Sequence, residues 1–181
     1  MSISFTAGYL TEVSWALLEV DIKMVEKVVK LLGETKKLNK TVYLVGNGGS
    51  ATTAMHFAQD LQKMCGIRAI AVPALIPNIL AYGNDTSWEN MFAGYLGGTM
   101  EQFDVLVAIS CSGSSPNVLK AVDFALKNDL NRIIGFTGQI SPSNPLARAP
   151  GLIICVNSPD IKVQEDVHLA ICHSIVGALS Q

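Results

Sequence analysis

Three histidines, His56, His168 and His173, carry most of the acid–base or metal chemistry that this sequence can offer. His56 and Asp60 lie four residues apart and would share one face of a helix, a spacing suited to a metal pair or to a base with its orienting partner. Near the C-terminus Glu165 and His173 are eight apart, only ~80° out of phase at ~100° per residue, whereas Gln164 would lie ~180° from His173. Glu165 is therefore the better partner. His168, ~140° from His173, is expected to face elsewhere, with a neighbouring subunit as the candidate.

A second group of residues suits an anion. Ser110-Cys111-Ser112-Gly113-Ser114-Ser115-Pro116-Asn117 places four hydroxyls within six residues, with Pro116 in the first turn of an expected helix. Hydroxyls and amide N–H groups at a positive helix end can hold a phosphate dianion without a lysine. One capping serine with solvated neighbours would read the same way. Gly46-Asn47-Gly48-Gly49-Ser50 offers a tight turn whose amides favour an anion or a sugar hydroxyl, or is simply a structural turn. It is neither a Walker loop nor a GxGxxG fingerprint, so no nucleotide cofactor is expected. Gly83-Asn84-Asp85 reads as a turn before a helix capped by Thr86 or Ser87. Asn47, Asn84 and Asp85 have the donors and acceptors that a polyhydroxylated ligand needs.

Periodicity supplies the elements that must position these groups. Residues 3–38 are apolar at helical spacing on more than one face, predicting two helices broken near 19–21, a pair that must pack on something besides its own domain. From residue 41 the pattern changes to short β-branched runs at 41–45, 69–72, 105–109, 132–136 and 152–156, separated by helix-like segments at 50–64, 86–101, 115–129 and 162–179. This is the signature of an α/β, doubly wound five-stranded parallel sheet, in which ligands bind beyond the carboxyl ends of the strands. The chain reads as one domain over 1–181, with 1–40 a helical oligomerisation segment and 41–181 the α/β core.

Composition narrows the partners. With 13 basic and 15 acidic residues, the net charge is −2, too little positive field to hold a nucleic acid by counterion release. No apolar run reaches the ~18 residues of a membrane span and no signal peptide is apparent, so a cytoplasmic protein is expected. Cys65, Cys111, Cys155 and Cys172 form no CxxC pair and read as buried, reduced thiols. Charged residues make up only 15% of the chain, against a usual ~25%, which points to a homo-oligomer that hides apolar surface.

Taken in order, Gly46–Ser50, Met55-His56-Phe57-Ala58, Gly83-Asn84-Asp85, Ser110–Val118, Thr137-Gly138 and Gln164-Glu165-Asp166-Val167-His168 followed by His173 resemble the sugar isomerase (SIS) domain family. Within it, the histidine-bearing helices resemble the phosphoheptose isomerase group. The resemblance implies a flavodoxin-like fold, a homotetramer with sites at subunit interfaces, and a phosphate held by the serine loop. The residues implied for the sugar phosphate are Asn47, Gly48, Gly49, Ser50, Asn84, Asp85, Ser110, Ser112, Ser114, Ser115 and Glu165. It also implies aldose–ketose interconversion through an enediol, with Asp60 and His173 moving protons, and zinc, held in some members, for which His56, Asp60, Glu165 and His173 would form the metal set. The best-known members have Glu where Asp60 stands and Gln where Glu165 stands. The expected activity is conversion of sedoheptulose 7-phosphate to D-glycero-heptose 7-phosphate. Its alternative is a noncatalytic phosphosugar-binding regulator or assembly module.

Overall fold

The computed structural model describes residues 4–181; residues 1–3 of the leading helical segment lie outside the described part. Ser4 accepts from the Ala7 amide to open α1 (Phe5–Leu18), and Asp21 accepts from the Met24 amide to open α2 (Ile22–Lys37). Asp21 thus makes the break near 19–21, because a capping side chain satisfies first-turn donors only where a new helix starts. α2 buries Val25, Val28 and Leu32 and ends with Lys36 and Lys37 beside its negative pole. α1 has no polar side: Phe5, Trp15 and Leu18 are exposed, whereas Ala16 is buried.

The sheet comprises β1 (Thr41–Gly46), β2 (Arg68–Ala71), β3 (Val105–Ser110), β4 (Ile133–Thr137) and β5 (Leu152–Cys155), all parallel in the order β2-β1-β3-β4-β5. This is the flavodoxin-like order. Alternate residues feed two cores, as the pleat requires. Val42 and Leu44 face the side covered by α2, α3 (Gly48–Lys63) and α7 (Ile161–Leu179), while Tyr43 and Val45 face the other side. That second side is covered by α5 (Met91–Gly97) and α6 (Pro116–Lys127).

One expected helix is corrected. The segment 86–101 is not a single helix; α4 (Ile76–Asp85), a 3₁₀ turn at Trp88–Asn90 and α5 occupy the region. Pro77 sits in the first turn of α4, where its missing N–H costs nothing. Gly83, Asn84 and Asp85 form the last turn of that helix instead of a loop. Ser87 caps the 3₁₀ turn by accepting from the Asn90 amide. The turn propensity of Gly-Asn-Asp is overridden by packing: Gly94 of α5 lies so close to Tyr82 of α4 that an added Cβ would strike the ring.

The sheet order reverses between β1 and β3, and the loops that follow them meet there. The reciprocal side-chain amides of Asn47 and Asn117, at 2.8 Å in each direction, tie the start of α3 to the start of α6. Behind the serine loop, buried Asn144 accepts from Thr137 Oγ1 and the Ala147 amide and donates to the Gln139 carbonyl. Gly113 turns over this side chain with φ +62°, and a Cβ there would overlap Asn144 Oδ1. His168 is fully buried in the chain's own core, with Nε2 3.1 Å from the Thr137 carbonyl, which corrects the expectation that it faces a neighbour. Of the four cysteines three are buried and free, whereas Cys155 is only half-buried.

Two stability outcomes are expected. Gly113→Ala combines a left-handed backbone with a steric overlap and should cost about 2–3 kcal/mol in chemical denaturation. Burial holds the His168 imidazole down at about 4, partly opposed by its bond to Thr137. The unfolded chain therefore binds the proton first as pH falls. Stability should be lost as pH drops from ~6.5 through about 4, and His168→Gln should flatten that part of the stability–pH profile.

Candidate active site

α3 and α7 run side by side in the same direction, since Gly49 meets Glu165 near their starts and His56 and Asp60 meet His173 further along. His56 Nε2 lies 3.5 Å from Asp60 Oδ2, His173 Nε2 lies 3.9 Å from the same oxygen, and the two Nε2 atoms are 3.4 Å apart. The imidazoles meet edge to face with centroids 4.9 Å apart. Asp60 is nearly buried, at 8% exposure, while both histidines open to the surface. A carboxylate screened from water beside two imidazoles can pass protons within one cluster. His56, Asp60 and His173 also each offer a ligand atom, all within 4.8 Å of one another. Glu165 is not in that group, because eight residues of helix put it about 12 Å back along α7.

Beyond the carboxyl ends of β1 and β3 lies a cavity of about 150 Å³. Ser110, Ser112 and Ser115 line one side and Asn47, Ser50 and Glu165 the other. Ser110 Oγ donates to Ser115 Oγ at 3.1 Å, and Ser112 Oγ accepts from the Ser114 amide at 3.3 Å. Ser114 turns its own hydroxyl to Ser112 at 3.2 Å and is not among the lining residues. Neither Asn47 nor Ser115, the N-cap residues of α3 and α6, caps its helix with its side chain. Gly48 and Gly49 form the first turn of α3, and a Cβ on Gly49 would collide with both carboxylate oxygens of Glu165. Asn84 and Asp85 are exposed at the end of α4, bonded to each other at 2.9 Å, and do not line the cavity. Larger grooves lie along the β2 edge and beside α1, without a comparable set of convergent hydroxyls.

Residues that motif spacing alone did not assign hold this cavity from behind. Cys111 Sγ lies 3.9 Å from Ser50 Oγ and 3.9 Å from His168 Nδ1. With its Nε2–H given to the Thr137 carbonyl, His168 presents a bare Nδ1 that accepts the Cys111 S–H. Burial raises the Cys111 thiol to about 11, outweighing its contact with Ser50. The pair is thus neutral at physiological pH and supports the loop without supplying a nucleophile. The ~140° phase of His168 was the signal that it points away from His173. Asn117 and Asn144 bond through side chains to loops 70 and 7 residues away, a link invisible in local spacing.

Residues 8–138 match the SIS domain family. A phosphoheptose isomerase from Bradyrhizobium sp. is 35% identical over 177 residues, which span 92% of this chain and 85% of that relative. The structure of phosphoheptose isomerase GmhA from Neisseria gonorrhoeae superposes with a TM-score of 0.87 at 25% identity, covering 96% of this chain and 97% of that one. A phosphoheptose isomerase from Francisella tularensis shares the fold, with a TM-score of 0.84 at 23% identity over 98% and 95% of the two chains. The hydroxyl-lined cavity and the imidazole–carboxylate cluster thus sit on a scaffold whose ancestry is plain, and the chain belongs to the SIS domain family, within its phosphoheptose isomerase group.

Proposed function

We propose that the protein is an aldose–ketose isomerase that interconverts sedoheptulose 7-phosphate and D-glycero-heptose 7-phosphate through an enediol. The observation that carries this reading is the meeting of Asp60 with His173 in one cluster, on the same helix pair that borders the hydroxyl-lined cavity. Phosphoheptose isomerase relatives support the substrate class. The serine loop takes the phosphate, as hydroxyls beside a positive helix end can without lysine. The ~12 Å of helix between Glu165 and His173 favours a long sugar chain over a short one.

In the ketose-to-aldose direction, the Asp60 carboxylate removes a proton from C1 and His173 gives a proton to the C2 oxygen, forming the enediol. His173 then takes the proton from the C1 oxygen while the proton held by Asp60 returns to C2. No atom is gained or lost. His56 keeps Asp60 and His173 in register, its Nε2 being within 3.5 Å of both partners. Two imidazole nitrogens and a carboxylate oxygen also suit an open zinc site, and zinc bound there by His56, Asp60 and His173 would supply polarisation of the sugar carbonyl.

The same reading includes a homotetramer with sites completed at subunit interfaces. Phe5, Trp15 and Leu18 are exposed on α1, and His56 and His173 open outward, so an apolar neighbour would remove both liabilities. Free thiols suit the reducing cytoplasm. No helix among the described residues is long and apolar enough to cross a membrane.

Purified protein incubated with sedoheptulose 7-phosphate should yield the aldose phosphate by NMR. Absence of turnover with and without zinc, beside an active control enzyme, would refute the activity, and ligand-induced stabilisation alone would favour a binding module. His173→Ala and Asp60→Asn should each lower kcat by about 10²–10⁴ while the melting curve stays cooperative. Elemental analysis of protein purified without chelator should show zinc, and His56→Ala should reduce it.

A further inference from the structure

The last rung of the β3–β4 ladder is displaced by one residue. Ser110 stands opposite Thr137, and the parallel pattern in which the Leu106 amide meets the Arg132 carbonyl would send the Gly138 amide to the Ser110 carbonyl. It goes instead to the Cys111 carbonyl, at 2.9 Å. The place left at Ser110 is taken by a side chain, since Thr137 Oγ1 donates to the Ser110 carbonyl at 2.8 Å. The same hydrogen has a longer contact with Asn144 Oδ1 at 3.2 Å, and Asn144 Nδ2 donates back to the hydroxyl at 3.0 Å. Thr137 is fully buried, and its own carbonyl takes the Val156 amide and His168 Nε2, so the residue is held on every side.

Two successive carbonyls are thereby drawn toward β4, where an unbroken strand would alternate them. A trans peptide unit holds its N–H opposite its C=O, and every described peptide bond is trans. The amides of these two units, those of Cys111 and Ser112, therefore point away from β4, toward the side of β3 on which β1 lies. That is where the cavity is: Cys111 and Ser112 line it, and Asn47 and Ser50, which follow β1, form its far wall. Neither amide has a protein acceptor among the described residues. Successive N–H groups turned into one concavity bind an anion without help from a lysine. The geometry points to Thr137 as a positioning residue for phosphate: its hydroxyl holds the Ser110 carbonyl against β4 and so, together with the Gly138 amide on Cys111, turns the Cys111 and Ser112 amides onto the ligand. Gly138 permits this close approach, because a Cβ there would fall 2.6 Å from the Cys111 carbonyl and 2.5 Å from Gln164 Oε1. That the anion is a sugar phosphate rests on the isomerase reading; the orientation of the amides does not.

Inorganic phosphate added to the full chain, followed by calorimetry and by proton–nitrogen correlation NMR, tests the proposal without turnover. In the wild type the Cys111 and Ser112 amide protons should move downfield as phosphate saturates. Thr137→Val keeps the side-chain shape and removes the donor; it should weaken phosphate about tenfold and abolish both shifts while the melting curve stays cooperative. Thr137→Ser should restore affinity and shifts together. Ser112→Ala removes a hydroxyl but no amide, and should keep the shifts even where affinity falls. A wild type that fails to bind phosphate, or binds it without either shift, overturns the proposal whether or not the variants fold. Unchanged affinity in Thr137→Val, or weakened binding with both shifts intact, overturns it as well. The expected shifts without sedoheptulose 7-phosphate turnover would leave the amides standing and remove the isomerase, whereas turnover without the shifts would do the reverse.

Discussion

The reciprocal amide bond between Asn47 and Asn117 is the constraint on which the ligand-binding end of the sheet depends. Each side chain gives one N–H and takes one through its oxygen, at 2.8 Å, with Asn117 wholly buried. Asn117 also accepts from the Val118 amide, so the pair is anchored in α6 as well as in the turn after β1. In a parallel sheet the two connections at the reversal point leave in opposite directions, and nothing in the strand ladder holds them together. This pair does. It also withholds the cap that Asn47 would otherwise provide, which keeps the first amides of α3 open toward the cavity.

A quiet layer supports the reactive one. Thr137, Asn144, Cys111 and His168 bond to one another and to the backbone behind the serine loop, and burial keeps both the imidazole and the thiol uncharged. A neutral support leaves the loop's hydroxyls and helix dipole without a competing charge behind them. The cluster of His56, Asp60 and His173 lies farther along the α3–α7 seam, outside the cavity that the serine loop lines.

Much of this was legible in the sequence, and for identifiable reasons. Continuous apolar, largely β-branched runs gave the five strands to within one residue at every end, since strands buried on both faces carry little else. The i, i+4 spacing of His56 and Asp60 placed both on one face of α3, because helical geometry fixes it, whereas their meeting with His173 was implied by the family resemblance and not by spacing. Glu165 was harder: its phase relative to His173 was right, but its axial offset takes it to the other end of the cleft. Gly83-Asn84-Asp85 misled because its turn propensity is local, whereas the packing of Tyr82 on Gly94 that keeps α4 helical is not. Asn144 and Asn117 lay beyond reach because their partners are set by tertiary contact.

The co-directional seam of α3 and α7 has an evolutionary corollary. A single-residue insertion between Glu165 and His173 would rotate the imidazole by ~100° and advance it by ~1.5 Å, so length changes within that stretch are forbidden where substitutions are tolerated. Divergence in such a lineage must proceed by altering side-chain reach at fixed positions, and Asp60 is the kind of change this permits. Indels should instead accumulate in the connection between β4 and β5, whose residues 139–143 are mostly exposed and whose drift leaves the seam untouched.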